Sequence, residues 1–150
     1  MAQGAHRDAR FARRRGAVLA GLILDTSVLV DAERQGAALA RIVADDDDVA
    51  IAAITVAELL VGVELAEGKR RAARQKLVDA IIDTLPIEDY DLNVARRHSE
   101  LLAHVRRAGR PRGAHDLVIA ATALARRRIV VTADARGFDG LPGVTYRATR

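Results

Sequence analysis

Four carboxylate residues stand close to the ends of apolar runs that are typical of buried strands. Asp25 ends one run, Glu58 lies in the first turn of the helix after another, Asp116 begins a strongly apolar helix, and Asp134 follows a third run. In an open parallel sheet the carboxyl ends of the strands share one edge, which is where ligands bind. Carboxylates gathered there repel one another unless a cation is present, and Mg²⁺ or Mn²⁺ suits carboxylate and water ligands. The spacing therefore predicts a divalent metal site.

Each acid also has an ordinary structural interpretation. Asp25 and Asp116 stand where helices begin, and a carboxylate there interacts favourably with the helix dipole by ~0.3–1 kcal/mol. Thr55 and Glu58 match the capping-box pattern, and Asp134 could form an Asx turn. For any one acid alone the structural interpretation is favoured. The placement of all four on one sheet edge favours the metal site.

The elements that must position these acids alternate between strand and helix. Apolar runs predict buried strands at 22–24, 49–52 and 129–131, with a possible last strand at 144–146 and a short edge strand at 85–87. Helical periodicity begins at 25–27, Thr55, about Lys69, Asp91 and Asp116. This order predicts an α/β fold with three α/β/α layers around a central, mostly parallel sheet of about four to five short strands.

The pattern also predicts where these helices end and which side chains they bury. The helix from Thr55 is expected to stop at Gly68, and the helix from Asp91 at Gly109. A second short helix is expected at 37–44, and the acidic run 45–48 as a solvated turn. The inner faces of the two long helices are predicted to carry Leu77, Val78, Ile81 and Ile82, and then Val94, His98, Leu101, Leu102 and Val105.

Length and composition indicate one folded domain. The chain has 150 residues, half of them hydrophobic, so residues 19–150 are predicted to form a single domain behind a basic mobile tail, 1–18. The apolar stretch 17–24 after Arg13–Arg15 imitates a signal peptide, but it is too short and stops at Asp25. We expect a cytoplasmic protein with no membrane span.

The charged and sulfur-containing residues narrow the function classes further. The absence of Cys excludes disulfides and thiolate zinc sites, so any metal must be held by oxygen or imidazole. A net charge of +4 favours an anionic partner such as nucleic acid.

Four segments in order carry a resemblance to a known family. They read Leu-Ile-Leu-Asp25-Thr26-Ser27-Val-Leu-Val-Asp31, Thr55-Val-Ala-Glu58-Leu-Leu-Val-Gly62, Gly113-Ala-His-Asp116-Leu-Val-Ile-Ala-Ala-Thr-Ala-Leu and Val-Val-Thr132-Ala-Asp134. Together they resemble the successive motifs of a PIN domain, and above all the VapC toxins of bacterial toxin–antitoxin pairs. The likeness covers about residues 22–146 and is loosest at Asp134, where many relatives have Asn.

The resemblance implies a function and a set of roles. It implies an endoribonuclease dependent on Mg²⁺ or Mn²⁺, acting as the toxin of a type II toxin–antitoxin system, with an RNA substrate, a small cognate antitoxin and a homodimeric state. Asp25 and Asp116 would bind metal directly, Glu58 would orient or deprotonate the attacking water, and Asp134 would complete a second site or bind through water. Hydroxyls of Thr26, Ser27 and Thr132 could hold these acids or a phosphate.

Other residues are weaker candidates. His115 could contact substrate but is more often structural at a helix start, His98 is predicted to be core, and the run 126–128 to compensate a helix dipole. Arg110 and Arg112, in the loop before Asp116, are better candidates for phosphate contact.

Two alternative functions come from other classes. An aspartyl-phosphate phosphotransferase would be expected to pair acids closely and to supply a lysine, yet Ser27 stands two residues after Asp25 and no lysine follows Lys76. A catalytically idle nucleic-acid or partner-binding α/β module would use the acids only as caps and should tolerate loss of at least one, yet all four are present. Which RNA is cut does not follow from the sequence.

Overall fold

The computed structural model of the chain describes residues 21–36 and 48–149. The predicted tail 1–18, the predicted short helix 37–44 and most of the acidic run 45–48 lie outside these residues. Strand β1 is Gly21–Leu24, and α1 is Thr26–Arg34. The remaining elements are β2 Val49–Ala52, α2 Ala53–Glu64, α3 Gly68–Thr84, β3 Ile87–Glu88, α4 Leu92–Ala108, α5 Ala114–Arg126, β4 Arg128–Thr132, a 3₁₀ turn Ala135–Gly137 and β5 Tyr146–Ala148.

The strands form one sheet of five in the order β3-β2-β1-β4-β5, and every described pair is parallel. From β1 the chain moves to one side for β2 and β3, and then crosses to the other side for β4 and β5. The direction reverses between β1 and β4, which is where open α/β sheets form a crevice at the carboxyl ends of their strands.

Successive side chains of the strands point to opposite faces of the sheet, and each face has its own hydrophobic core. Ile23 and Val130 pack with the buried residues of α4 and α5. Leu24 and Val131 pack on the other face with those of α1, α2 and α3. This arrangement confirms the predicted three-layer α/β/α fold.

The start of α2 differs from the prediction. The helix begins at Ala53, with Ala52 in the N-cap position and no side-chain cap, and Thr55 is fully buried inside its first turn. The capping-box interpretation of Thr55 and Glu58 is therefore wrong, because the buried strand runs directly into the helix and leaves no residue to cap. Gly68 was expected to end this helix but begins α3 instead, with a left-handed φ of +57° at the corner between the helices.

The ends and inner faces of the other helices follow the sequence with exceptions. Asp91 accepts a hydrogen bond from the Val94 N–H, and Gly109 ends α4 with φ +65°, as predicted. Ile82 is exposed, so α3 buries a narrower stripe than expected. His98 is half-buried, and its Nδ1 lies 2.9 Å from the hydroxyl of Tyr90, so it is not a core residue.

The last strand begins at Tyr146 and not at 144. Gly143 adopts a left-handed φ of +74°, and the Val144 N–H donates to the Leu141 carbonyl, so these residues form a turn. Within residues 21–36 and 48–149, no helix is both long and apolar enough to cross a membrane.

Candidate active site

Asp25 lies at the carboxyl end of β1, in the N-cap position of α1, yet its side chain makes no capping hydrogen bond. It is 5% exposed, and its Oδ2 accepts hydrogen bonds from Ser27 Oγ at 2.7 Å and Thr132 Oγ1 at 2.8 Å. Ser27 Oγ in turn accepts the Ala133 N–H at 3.0 Å. Asp25 therefore begins α1 without capping it through the side chain, and its carboxylate is fixed by one hydroxyl from α1 and one from the end of β4.

Glu58 comes from the first half of α2 and faces the start of α1. Thr26 Oγ1 donates to its Oε1 at 2.8 Å, and the Thr26 hydroxyl also lies 3.4 Å from the hydroxyl of buried Thr55. The other carboxylate oxygen, Oε2, lies 3.3 Å from Nδ1 of His115. The side chain of Glu58 is thus oriented from two sides.

Asp116 lies in the first turn of α5 and carries the strongest electrostatic perturbation at this edge of the sheet. The pKa of its carboxyl is raised to about 6, first by burial and then by the charges of Asp25, Glu58 and Asp134 in that order, with His115 acting in the opposite direction. The site therefore brings all four acids close enough to interact.

Two glycines make room for Asp116. A Cβ atom built on Gly137 would lie 2.5 Å from Asp116 Oδ2, and one built on Gly113 would lie 3.1 Å from it. A side chain at residue 137 would therefore collide with the Asp116 carboxylate or displace it. Gly137 follows Asp134 by three residues, but nothing in the sequence predicts its contact with Asp116, because that contact depends on how the loop folds back.

Asp134 is the most peripheral of the four acids. Its Oδ1 accepts the Arg136 N–H at 3.1 Å, which is the predicted Asx turn. Its carboxylate is also paired with the Arg136 guanidinium at 2.9 and 2.8 Å. Half of this side chain is exposed, so Asp134 stands at the rim of the site.

The donor set fits a hard divalent cation. Within the described residues, no three His, Asp or Glu side chains converge on one metal position. Mg²⁺ needs no such cage, because it keeps several waters and binds proteins through one or two carboxylates. Here Asp25 and Asp116 offer carboxylate oxygens, and the mutual repulsion that raises the pKa of Asp116 is what a cation would relieve.

Most of the arginines singled out from the sequence lie elsewhere. Arg126 pairs with Glu88 and Asp91, and Arg128 pairs with Glu88 and Asp48. Ion pairs therefore engage Arg126 at the end of α5 and Arg128 at the start of β4, in addition to any interaction with the helix dipole. Arg110 and Arg112 lie in the loop before Asp116, as expected, and form part of a separate cavity described below.

Comparison with known proteins gives consistent matches. The PIN domain family model matches residues 22–143. Ribonuclease VapC5 of Mycobacterium tuberculosis is 37% identical over 115 residues, covering 75% of this chain and 82% of that protein. VapC ribonuclease Y4jK of Sinorhizobium fredii is 34% identical over 128 residues, covering 79% of this chain and 90% of that protein.

Among solved structures, a chain of DNA-bound VapBC from Salmonella typhimurium superposes with a TM-score of 0.77 at 26% identity, covering 87% of this chain and 98% of that one. The family match spans both central strands and all four acids, and the curated relatives are aligned over most of their own length. The chain therefore belongs to the PIN domain family.

Proposed function

We propose that this chain is an endoribonuclease dependent on Mg²⁺ or Mn²⁺, acting as the toxin of a toxin–antitoxin pair. One observation carries the proposal: carboxylates from four separate segments lie at the switch point of the sheet, where burial and the charges of the other three raise the pKa of Asp116. Perturbed acids of this kind cluster at functional sites. Relatives named as ribonucleases support RNA as the substrate.

In this proposal Asp25 and Asp116 hold the metal. The ion, when bound there, would lower the pKa of a bound water and neutralise charge on the phosphoryl and leaving oxygens. Ser27 and Thr132 both donate to Oδ2 of Asp25, which fixes the direction of the carboxylate. Glu58, held by Thr26, orients the attacking water and accepts its proton. Asp134 acts through water or at a second metal position.

The contacts of the acids support this function over the two alternatives. If the acids were only helix caps, Asp25 would bond to the backbone of α1, but it bonds to hydroxyls of Ser27 and Thr132. An aspartyl-phosphate enzyme would place a lysine beside Asp25. The only lysines of the chain, Lys69 and Lys76, belong to α3, and neither is among the groups that perturb Asp116.

The partners are proposed on the same basis. Solved relatives named as VapBC complexes support a small antitoxin partner. Within the described residues, the helices expected to meet it are α1, α2 and α3, and the side chains of Val61 and Leu65, 54% and 80% exposed, offer apolar contacts there. We further propose a homodimer that acts in the cytoplasm.

The function is tested by incubating purified protein with RNA. We expect cleavage with Mn²⁺, its loss with EDTA and its return when Mn²⁺ is added in excess. Asp116→Asn should abolish cleavage, whereas Asp83→Asn, a matched charge removal at an exposed position of α3, should not. Cleavage that survives EDTA, or that survives Asp116→Asn, would contradict the proposal.

The toxin label has its own test. Expression without the antitoxin should slow bacterial growth, and co-expression of the antitoxin should restore it. Free expression with no effect on growth would remove the toxin role even if nuclease activity survived.

A further inference from the structure

A cavity of about 380 Å³, separate from the candidate active site, lies between the end of α4 and the loop that follows the 3₁₀ turn. Its polar lining includes His104, Arg110, Arg112 and Asp139, with Gly140 beside them. None of the four acids of the candidate active site lines it. Two arginines and a histidine facing one cavity indicate an anionic ligand.

Arg112 is held in this cavity by backbone atoms and not by an acid. Its terminal nitrogens donate to the carbonyl oxygens of Arg110 and Asp139. Its Nε is buried without a partner, the only such side-chain atom in the part of the chain that the structure describes. Both acceptors are uncharged carbonyl oxygens, so they fix the position of the guanidinium without pairing its charge with a carboxylate. Such a group is suited to a phosphate oxygen.

The acid that lines the cavity is itself engaged. The Asp139 carboxylate accepts a hydrogen bond from the hydroxyl of Tyr146 at 3.2 Å, and the contact of Asp139 with Arg112 is through its backbone carbonyl. His104 and Arg110 make no side-chain hydrogen bond or ion pair within residues 21–36 and 48–149, so both can turn toward a ligand.

The cavity adjoins the four acids through a single loop. Gly137 lies against Asp116, and Gly140 lies against Arg112, since Cβ atoms built on them would be 2.5 Å from Asp116 Oδ2 and 3.7 Å from an Arg112 terminal nitrogen. Three residues of chain span at most ~11 Å. A nucleic-acid strand carries a charge at every nucleotide, so a strand with one phosphate at the acids has others within this reach.

We propose that His104, Arg110 and Arg112 form a subsite that binds a phosphate of single-stranded RNA next to the one that is cut. Arg112 provides the fixed charge, and Arg110 and His104 close on the phosphate from the rim. The inference rests on the proposed ribonuclease function, and it assigns to these residues the positioning of the strand and not the chemistry of cleavage.

The test measures binding of a fluorescein-labelled single-stranded RNA of mixed sequence to protein carrying Asp116→Asn, so that the RNA stays intact. Adding Arg110→Gln should weaken binding several-fold and lower the slope of log K against log salt by ~0.7, the value for one contact to a single strand. Arg112→Lys keeps the charge but loses the planar fork, and it should also weaken binding. Arg70→Gln, the same charge change at an exposed site on α3, should leave both quantities unaltered.

Cleavage by protein with an intact Asp116 separates this inference from the proposed function. Arg110→Gln should raise KM and leave kcat close to that of the wild type, because the subsite lies away from the cut bond. Equal effects of Arg110→Gln and Arg70→Gln would overturn the subsite while cleavage itself continued. A poly-aspartate peptide that displaced the labelled RNA as well as unlabelled RNA of the same total charge would also overturn the subsite, in favour of a protein ligand. Absence of cleavage by the wild type would overturn the proposed function and the subsite with it.

Discussion

Replacing Asp116 with Asn should stabilise the metal-free protein near neutral pH. The folded pKa of Asp116 is about 6, against 3.8 for the ordinary carboxyl. A raised carboxyl pKa means that the folded protein binds the proton of Asp116 more tightly than the unfolded chain does. Its stabilising contribution is therefore complete below the unfolded pKa and is lost as the pH rises through the folded pKa. The Asn variant is neutral at every pH and does not suffer this loss.

The size of the effect follows from the shift. About two pKa units correspond to ~3 kcal/mol at most. Because the Asp116 side chain is only partly buried, solvent screening reduces this to about 1.5 kcal/mol. In a domain of this size that free energy raises the melting temperature by roughly 3–6 °C. At pH 4.5 the carboxyl is protonated in the folded protein but still largely ionised in the unfolded chain. About a third of the difference in unfolding free energy between the two proteins therefore remains.

The assay is thermal unfolding of wild type, Asp116→Asn and Asp83→Asn at pH 7.5 and pH 4.5, without and with Mn²⁺. Without metal, only Asp116→Asn should melt higher than the wild type, and mainly at pH 7.5. Mn²⁺ should then raise the melting temperature of the wild type more than that of Asp116→Asn. A variant that melts at or below the wild type at pH 7.5 would refute the repulsion, and an equal rise with Mn²⁺ would place the metal elsewhere.

Three further predictions concern the acids and their supports. Asp134→Asn should reduce the cleavage rate at saturating Mn²⁺ only in part, whereas Asp25→Asn should abolish cleavage; the opposite ranking would overturn the peripheral role of Asp134. Gly137→Ala should lower kcat sharply, because the new Cβ would collide with Asp116, while circular dichroism should show little loss of secondary structure. Full activity would show that the loop can move aside. Thr132→Val removes one hydrogen bond to buried Asp25 and should cost about 1–3 kcal/mol of unfolding free energy at pH 7.5, measured by urea denaturation.

The sequence predicted the order of the elements because apolar runs and helical periods are local signals. Strand β1, the cap at Asp91 and the stop at Gly109 lie where the pattern placed them. The start of α2 was misplaced since a hydroxyl followed by Glu58 looks like a cap, whereas tertiary packing buries Thr55 and turns Glu58 toward Thr26.

The convergence of the acids was predicted in outline, but their supports were not. Strand ends share an edge in any parallel sheet, so the meeting of Asp25 with Asp116 follows from the order of elements. The close approach of Gly137 to Asp116, and the two hydroxyls on one oxygen of Asp25, depend on which strands are neighbours. The order of the strands is fixed by long-range packing and has no local signature.

We propose that Asp25 and Asp116 hold the metal with which this protein cuts RNA. The most direct measurement is the single-turnover rate of RNA cleavage as Mn²⁺ is titrated, compared among wild type, Asp25→Asn, Asp116→Asn and Asp83→Asn. We expect saturable dependence on Mn²⁺ for the wild type and Asp83→Asn, and no cleavage at any Mn²⁺ concentration for the other two. Cleavage by Asp25→Asn or Asp116→Asn with the same Mn²⁺ dependence as the wild type would contradict it.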